Sequence, residues 1–186
     1  MTARDSPSRQ WWREHRTKIQ EADDVRIDVF LRSLGTPAAG RHAEPSVLAR
    51  LADLETSGRV DTYTVSIWGD SVCPDDPCAE TPVGQYVMEK VEAFRAWAEE
   101  SGLVELPFET RTVHPMLEDE PCEVLRLPRI CLAVVADGEL IGVFPGRFGD
   151  RHLSVHEYLD LLGALPREME PVEERSAGTA LPRGSP

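Results

Sequence analysis

Residues 130–144 read ICLAVVADGELIGVF, two apolar runs on either side of Asp137-Gly138. An Asp-Gly pair between apolar runs is the strongest short-range signal for a β-hairpin, because both residues tolerate the positive φ angles of a two-residue turn. The runs are rich in β-branched residues, which is typical of strands in a buried sheet. The stretch therefore predicts an antiparallel hairpin late in the chain.

Strand and helix signals alternate ahead of this hairpin. Apolar residues alternate with mostly polar ones over 25–31, which predicts a strand. A helix opened by Pro45 and Ser46 runs to Gly58, and residues 60–68 (VDTYTVSIW) predict a second strand. The longest helix is predicted between a Thr81 cap and Gly102, with proline at its first position.

The order of elements predicts one α/β domain. Ser154 and Glu157 form a capping box that opens a closing helix, so the order is β-α-β-α-β-β-α. The first two strands flank a helix, which favours parallel pairing through a right-handed crossover. The hairpin adds antiparallel strands and makes the four-stranded sheet mixed. Residues 107–113 (PFETRTV) could add an extra edge strand.

Over residues 25–164 this order, with Pro128 directly before the first hairpin strand, resembles the thioredoxin-like fold. The resemblance implies a sheet of order 2-1-3-4 and a cis peptide bond before Pro128. Thioredoxins place a CxxC motif at the start of the first helix, where the helix N-terminus lowers the thiol pKa. The corresponding residues 32–46 (RSLGTPAAGRHAEPS) hold no cysteine, so the usual redox site of that fold is not expected here.

Two tails flank this domain. Residues 1–24 are polar and contain Trp11-Trp12 and a short helix from about Ser8 to Ala22, which predicts a loosely held arm, partly helical or disordered. Residues 166–186 are rich in Pro, Glu and Gly and predict a disordered tail. The α/β domain is therefore expected at 25–165.

The charge balance predicts a salt-adapted protein. Asp and Glu number 33 against 20 Lys and Arg, the net charge is −13, and Lys18 and Lys90 are the lysines. A dense carboxylate surface stays hydrated in concentrated salt, which screens its self-repulsion. The alternative is an acidic protein of an ordinary mesophile. The sequence shows neither a membrane-spanning apolar run nor a secretory signal, so we expect a cytoplasmic protein with reduced thiols.

The segment from Ile27 to Trp68 resembles small haloarchaeal proteins catalogued as helix-turn-helix domain proteins. The shared features are DVFLRSL, the helix pattern LxRLxxLExxG and VDTYTVSIWG, followed later by FRAWAEESG and LPRICLAVVADGEL. This resemblance implies DNA binding and transcriptional control. A helix, a glycine and a strand in LARLADLETSGRVDTYTV mimic the recognition helix and wing of a winged helix.

Two features speak against DNA binding by this segment. A helix-turn-helix needs another helix just before the recognition helix, and the residues before Pro45 read as a loop with glycine and proline. Base-reading residues are also scarce on the helix, which would expose Arg50, Asp53 and Glu55.

Cys73 and Cys78 stand in CPDDPC, a spacing that allows a disulfide or half of a zinc site. The candidates to complete a zinc site, His114 and Cys122, do not form the second close pair that such sites use. The two aspartates between the cysteines would raise a thiol pKa by repulsion. Cys131 stands among apolar residues and is expected to be buried.

Three functions remain in competition after this inspection. No convergent catalytic set, cofactor motif or complete metal site can be assigned, so the leading hypothesis is a non-catalytic binding or regulatory module with a protein partner. The second is a DNA-binding transcriptional regulator. The third is a dithiol redox or metal-binding protein that uses Cys73 and Cys78.

Overall fold

The computed structural model describes residues 6–33, 43–75, 77–102, 104–114 and 121–166. Its helices are α1 (Pro7–Glu21), α2 (Ala43–Thr56), α3 (Pro82–Ser101) and α4 (Val155–Gly163), with a 3-10 turn at Pro77–Glu80. Its strands are β1 (Val25–Leu31), β2 (Thr62–Ile67), β3 (Ser71–Val72), β4 (Val104–Glu105), β5 (Glu109–Val113), β6 (Cys122–Arg126), β7 (Ile130–Ala136), β8 (Glu139–Phe144), β9 (Gly146–Phe148) and β10 (Arg151–Leu153).

A mixed four-stranded sheet forms the middle of the molecule, in the order β2-β1-β7-β8. β1 runs parallel to β2 and antiparallel to β7, and β7 runs antiparallel to β8. These are the four strands predicted from the sequence, and their predicted order 2-1-3-4 is confirmed. The α/β class is confirmed as well, whereas the assignment to the thioredoxin-like fold stays a prediction.

The hairpin between β7 and β8 turns at Asp137 and Gly138, whose φ angles are 49° and 83°. Two positive φ angles in a two-residue loop are the type I′ geometry that the Asp-Gly pair predicts. The ladder shifts register between Val134 and Val135, which pair with Gly142 and Leu140. Ile141 is therefore left opposite no residue, as the extra residue of a β-bulge.

Helices cover both faces of the sheet. On one face α2 and α4 pack against alternate residues of β1 such as Ile27 and Val29, which are fully buried. On the other face α3 presents Val91 and Phe94 to Phe30 of β1. The alternation along β1 therefore divides the molecule into two apolar cores.

The ends of the helices follow the sequence signals. Thr81 caps α3 by accepting a hydrogen bond from the amide of Gly84 at 3.1 Å, and Gly102 ends the helix with a φ of 61°. The capping box of Ser154 and Glu157 at the start of α4 is confirmed by reciprocal hydrogen bonds. Each such cap satisfies backbone groups that a helix end leaves without an intrahelical partner.

The extra edge strand is present but does not extend the main sheet. β5 pairs with β6, and β6 pairs with β3, in a separate three-stranded sheet. Leu125 of β6 is buried in the core beside α3, whereas β5 is exposed along its length. The prediction placed β5 wrongly because the sequence pattern did not reveal β6, which is the partner of β5.

The predicted cis peptide bond before Pro128 is wrong. The cis bond of the described residues joins Phe144 to Pro145, directly after β8. The expectation came from the resemblance of the pattern and not from a local constraint. The chain around Pro128 is held instead by hydrogen bonds: the indole of Trp68 donates to the carbonyl of Pro128, and Arg32 donates to that of Leu127.

The predicted helix near the N-terminus exists, but the expectation that it is loosely held is wrong. α1 packs against the end of β8 and against β9 through aromatic rings. Trp11 stacks on His15 with ring centroids 4.7 Å apart and approaches Phe148 at 4.0 Å. His15 is only 3% exposed. The predicted disorder of the C-terminal tail concerns residues that, apart from Pro166, lie outside the described ranges.

His15 joins three elements of the fold. Its Nδ1 lies 3.1 Å from the carbonyl oxygen of Ile141 in β8, and its Nε2 lies 3.2 Å from the hydroxyl of Tyr158 in α4. A carbonyl only accepts, so Nδ1 carries the proton and Nε2 accepts from Tyr158. Burial lowers the pKa of His15 from 6.5 to about 4. The ring is therefore neutral at pH 7.

Acid should destabilise the protein through His15. The unfolded chain binds a proton at His15 below pH 6.5, and the folded chain binds it only near pH 4. The free energy of unfolding is therefore highest above pH 6.5 and falls as the pH is lowered from 6.5 to 4. Because tenfold in proton affinity is worth about 1.4 kcal/mol, the loss amounts to about 3 kcal/mol. Urea unfolding at pH 7 and pH 4 should show a smaller loss for His15→Gln than for the wild type. The exposed His114→Gln is the control, and an equal loss in all three proteins would contradict the assignment.

Gly142→Ala should displace α1. A Cβ atom at this position would lie 2.9 Å from both Cε1 of His15 and Cε2 of Phe144. Overpacking of this kind costs about 1–3 kcal/mol of unfolding free energy, measured by urea titration. The emission of Trp11, which stacks on His15, should change as well. Gly58→Ala, where the Cβ meets no atom within 4 Å, should leave this emission unchanged.

Candidate functional site

The loop with the two spaced cysteines lies beside the smaller sheet. Cys73 follows β3 and is half-buried, and Cys78 lies in the 3-10 turn, where its side chain is outside the described part. Cys122 begins β6 and pairs with Val113 of β5, which precedes His114 in sequence. Within the described ranges no three or more His, Cys, Asp or Glu side chains are grouped to hold a metal ion. A dithiol or metal role for Cys73 and Cys78 stays a prediction.

The strongly perturbed titratable groups lie in the cores and not in a cleft. Burial raises the pKa of the Cys131 thiol and of the Tyr158 hydroxyl and lowers that of His15. These side chains are 1%, 0% and 3% exposed. A perturbed pKa marks a catalytic candidate only where substrate can reach the group. Here the perturbation follows from structural burial.

β2 is the last strand at one end of the main sheet, and in the described part of the chain its outer side pairs with no other strand; we call this outer side the β2 edge (Thr62–Ile67). Residues 62–69 read TYTVSIWG and carry no charge, although 28% of the chain is charged. Val65 and Ile67 are 41% and 42% exposed. The charge-free strands β7 and much of β8 are explained by their burial. The same explanation does not hold for β2, because it lies at the end of the sheet.

Hydrogen bonds along β1 show which backbone groups of β2 point outward. The amide of Arg32 donates to the carbonyl of Arg129 at 2.9 Å. The backbone amides and carbonyls of even-numbered β1 residues therefore point toward β7. The backbone amides and carbonyls of odd-numbered β1 residues then point toward β2. The amide of Trp68 donates to the carbonyl of Leu31 at 3.0 Å, so β2 binds β1 with its even-numbered residues. The backbone groups that point away from the sheet belong to Tyr63, Val65 and Ile67.

The other end of the sheet is protected. α1 lies against β8, where His15 binds the carbonyl of Ile141, and Lys18 pairs with Glu139 at 2.8 Å. A covering helix and charged side chains are standard protection against the pairing of a sheet edge with another chain. The β2 edge has neither a charge nor a proline in its sequence. Among the described residues, the fold therefore protects the β8 end of the main sheet and leaves the β2 end available.

α2 is the helix that the resemblance to helix-turn-helix proteins would make the recognition helix. It connects the parallel strands β1 and β2 and buries Val47, Leu51 and Leu54 against the sheet. Its outer side exposes Asp53 and Glu55. In the described part of the chain the element before α2 is β1, and residues 34–42 lie outside that part.

Arg50 is the basic residue on this outer side of α2. Its Nη2 lies 3.7 Å from a carboxylate oxygen of Asp160 in α4. A neighbouring carboxylate partly neutralises the charge of an arginine and weakens its attraction to phosphate. Asp53 and Glu55 are exposed as predicted, whereas Arg50, which was predicted to be exposed as well, is half-buried and paired with Asp160.

None of the helices in the described residues is long and apolar enough to cross a membrane.

Comparison with known proteins identifies a family. A family model described as a helix-turn-helix domain matches residues 19–166, and the chain therefore belongs to that family, as the resemblance predicted. The match includes the whole main sheet with α2, α3 and α4 and leaves out most of α1. No curated protein and no solved structure matches the chain.

The thiols should differ sharply in reactivity. Burial raises the pKa of Cys131 and removes it from solvent, so iodoacetamide should leave it unmodified in the native protein and alkylate it in urea. Cys122, which is half-buried at the start of β6, should react in both conditions. Peptide mass spectrometry gives both results, and a Cys73–Cys78 disulfide would appear in the same spectra as a loss of two hydrogens. Rapid alkylation of native Cys131 would contradict the burial of β7.

Proposed function

We propose that this member of the helix-turn-helix domain family is a non-catalytic binding and regulatory module, which contacts a protein partner through the β2 edge. The observation that carries the proposal is the open, charge-free outer side of β2, with Val65 and Ile67 exposed beside outward-pointing backbone groups. An exposed sheet edge recruits an extended strand, because main-chain hydrogen bonds supply affinity and side-chain contacts supply specificity.

The rest of the described molecule fits a scaffold for such contacts. The perturbed groups His15, Cys131 and Tyr158 are enclosed in the two cores, so they serve stability. The element order favours a thioredoxin-like scaffold without its CxxC motif. The net charge of −13 favours a protein that works in concentrated salt inside the cell, where contacts that depend on charge are screened and a neutral β contact is retained.

DNA binding is the second candidate function, and the family match over residues 19–166 is the observation that favours it. The acidic outer side of α2 opposes phosphate contact there. Basic residues lie instead on α1, where Arg9 and Arg13 are exposed. A DNA-binding role would therefore rest on α1 in addition to the matched region, and it would show the steep loss of affinity with salt that phosphate contacts produce.

A lysine at position 65 should abolish partner capture. Lysine on an edge strand blocks the approach of another strand, because its charge would be buried. Tagged wild type, Val65→Lys and Val83→Lys are used to capture proteins and DNA from lysate in multimolar KCl, with and without nuclease. The partner should be a stoichiometric protein, unaffected by nuclease, that Val65→Lys loses. Val83 is 66% exposed and lies at the start of α3, so Val83→Lys should retain that partner.

The two candidate functions predict different results in this experiment. DNA that survives the salt in repeated preparations, is lost with Arg9→Ala/Arg13→Ala and is retained by Val65→Lys would replace the proposed function by DNA binding. Equal protein capture by wild type and Val65→Lys would exclude the β2 edge as the contact surface.

A further inference from the structure

We infer that the partner on the β2 edge is a second copy of this chain, whose β2 strand pairs antiparallel with the first around a two-fold axis at Val65. The inference rests on the proposed function, because it names the occupant of the same edge. Joining two copies of the four-stranded sheet in this way gives one continuous sheet of eight strands.

The alternation of side chains restricts where the two-fold axis can lie. Opposite residues of an antiparallel pair point to the same face of the sheet. Two identical strands meet this condition only when the axis passes through a residue and not between two residues. The central residues of the six-residue strand allow an axis at Thr64, Val65 or Ser66.

The axis at Val65 gives the best match of side chains. It places Val65 opposite its own copy, Tyr63 opposite Ile67, and Thr64 opposite Ser66. An axis at Thr64 would place Ile67 opposite Asp61, whose carboxylate already accepts from the amide of Val25 at 2.7 Å. An axis at Ser66 would place Tyr63 opposite Gly69 and leave the aromatic ring without a partner side chain.

The outward backbone groups fit the same register. Tyr63, Val65 and Ile67 are the residues whose amide and carbonyl point away from β1. With the axis at Val65 these residues meet only one another, and each opposite pair exchanges two hydrogen bonds. No outward amide or carbonyl of β2 then remains unpaired between the strands. Val65 and Ile67 also cover the exposed apolar surface of their counterparts.

The distribution of charge on the chain favours a second copy as the partner. Concentrated salt screens the long-range repulsion between two copies with a net charge of −13, because its screening length is about 3 Å at 1 M, but like charges brought into contact still repel. Because residues 62–69 carry no charge, two copies that meet at the β2 edge bring no like charges of this strand into contact. A basic partner protein would be attracted to the acidic surfaces and would gain nothing from a neutral strip. A neutral and self-matching strip on a strongly acidic chain therefore fits a second copy.

The test measures the mass in solution and a cross-link at the axis. Light scattering behind size exclusion of the full chain in multimolar KCl should give twice the chain mass for wild type and Val83→Lys and the single mass for Val65→Lys. Circular dichroism confirms that the variants are folded. Opposite Cβ atoms of a hydrogen-bonded pair lie about 5.5 Å apart, too far for an unstrained disulfide but within the span of a short bis-maleimide cross-linker. Val65→Cys treated with this cross-linker should therefore link to its own copy at position 65, whereas Val83→Cys should not.

Each outcome decides between the alternatives. A dimeric wild type, a monomeric Val65→Lys and a link between two positions 65 support the inference. A monomeric wild type, or a dimer that Val65→Lys leaves intact, overturns it. If the wild type is monomeric while protein capture from lysate still depends on Val65, the second copy is excluded and the proposed function stands. If neither mass nor capture depends on Val65, both fail.

Discussion

The hydrogen bond from His15 to the carbonyl of Ile141 holds α1 against β8, which is the end of the main sheet opposite β2. The β-bulge in β8 leaves this carbonyl outside the ladder, and a buried carbonyl without a partner costs about 1–3 kcal/mol. α1 supplies the partner, and Tyr158 of α4 satisfies the second ring nitrogen. Stacking of Phe144 on Tyr158, with centroids 3.7 Å apart, continues the same cluster. A neutral, enclosed imidazole thereby locks α1 to β8 and α4.

This lock makes the two ends of the sheet unequal. α1 occupies the end at β8, so in the described part of the chain the end of the main sheet that another strand can reach is the one formed by β2. Proteins usually protect such an end with charge, and this chain, although 28% charged, places no charge between residues 62 and 69. The charge-free composition of β2 is the observation on which the proposed contact at this edge rests.

The features predicted from the sequence are those with local signals. The Asp137-Gly138 turn, the caps of α3 and the capping box of α4 each depend on neighbouring residues, and each is confirmed. The role of His15 could not be predicted, because its partner Ile141 is 126 residues away in sequence. β6 was missed because only Leu125 along it is buried and its pattern is weak. The β2 edge followed from the strand order, but the exposure of Val65 became visible only when α2 was placed.

The family name and the geometry diverge at α2. A recognition helix must present polar side chains to a groove, whereas α2 is held against the sheet by Val47, Leu51 and Leu54 and presents carboxylates outward. A two-fold axis at Val65, perpendicular to the sheet, would place both copies of α2 on the same face, one on each side of the axis. Such a pair of helices has the symmetry of a dimeric DNA-binding protein but the wrong charge for phosphate. The outward carboxylates of α2 therefore oppose phosphate contact at this helix, and the proposed contact with another protein rests on the β2 edge.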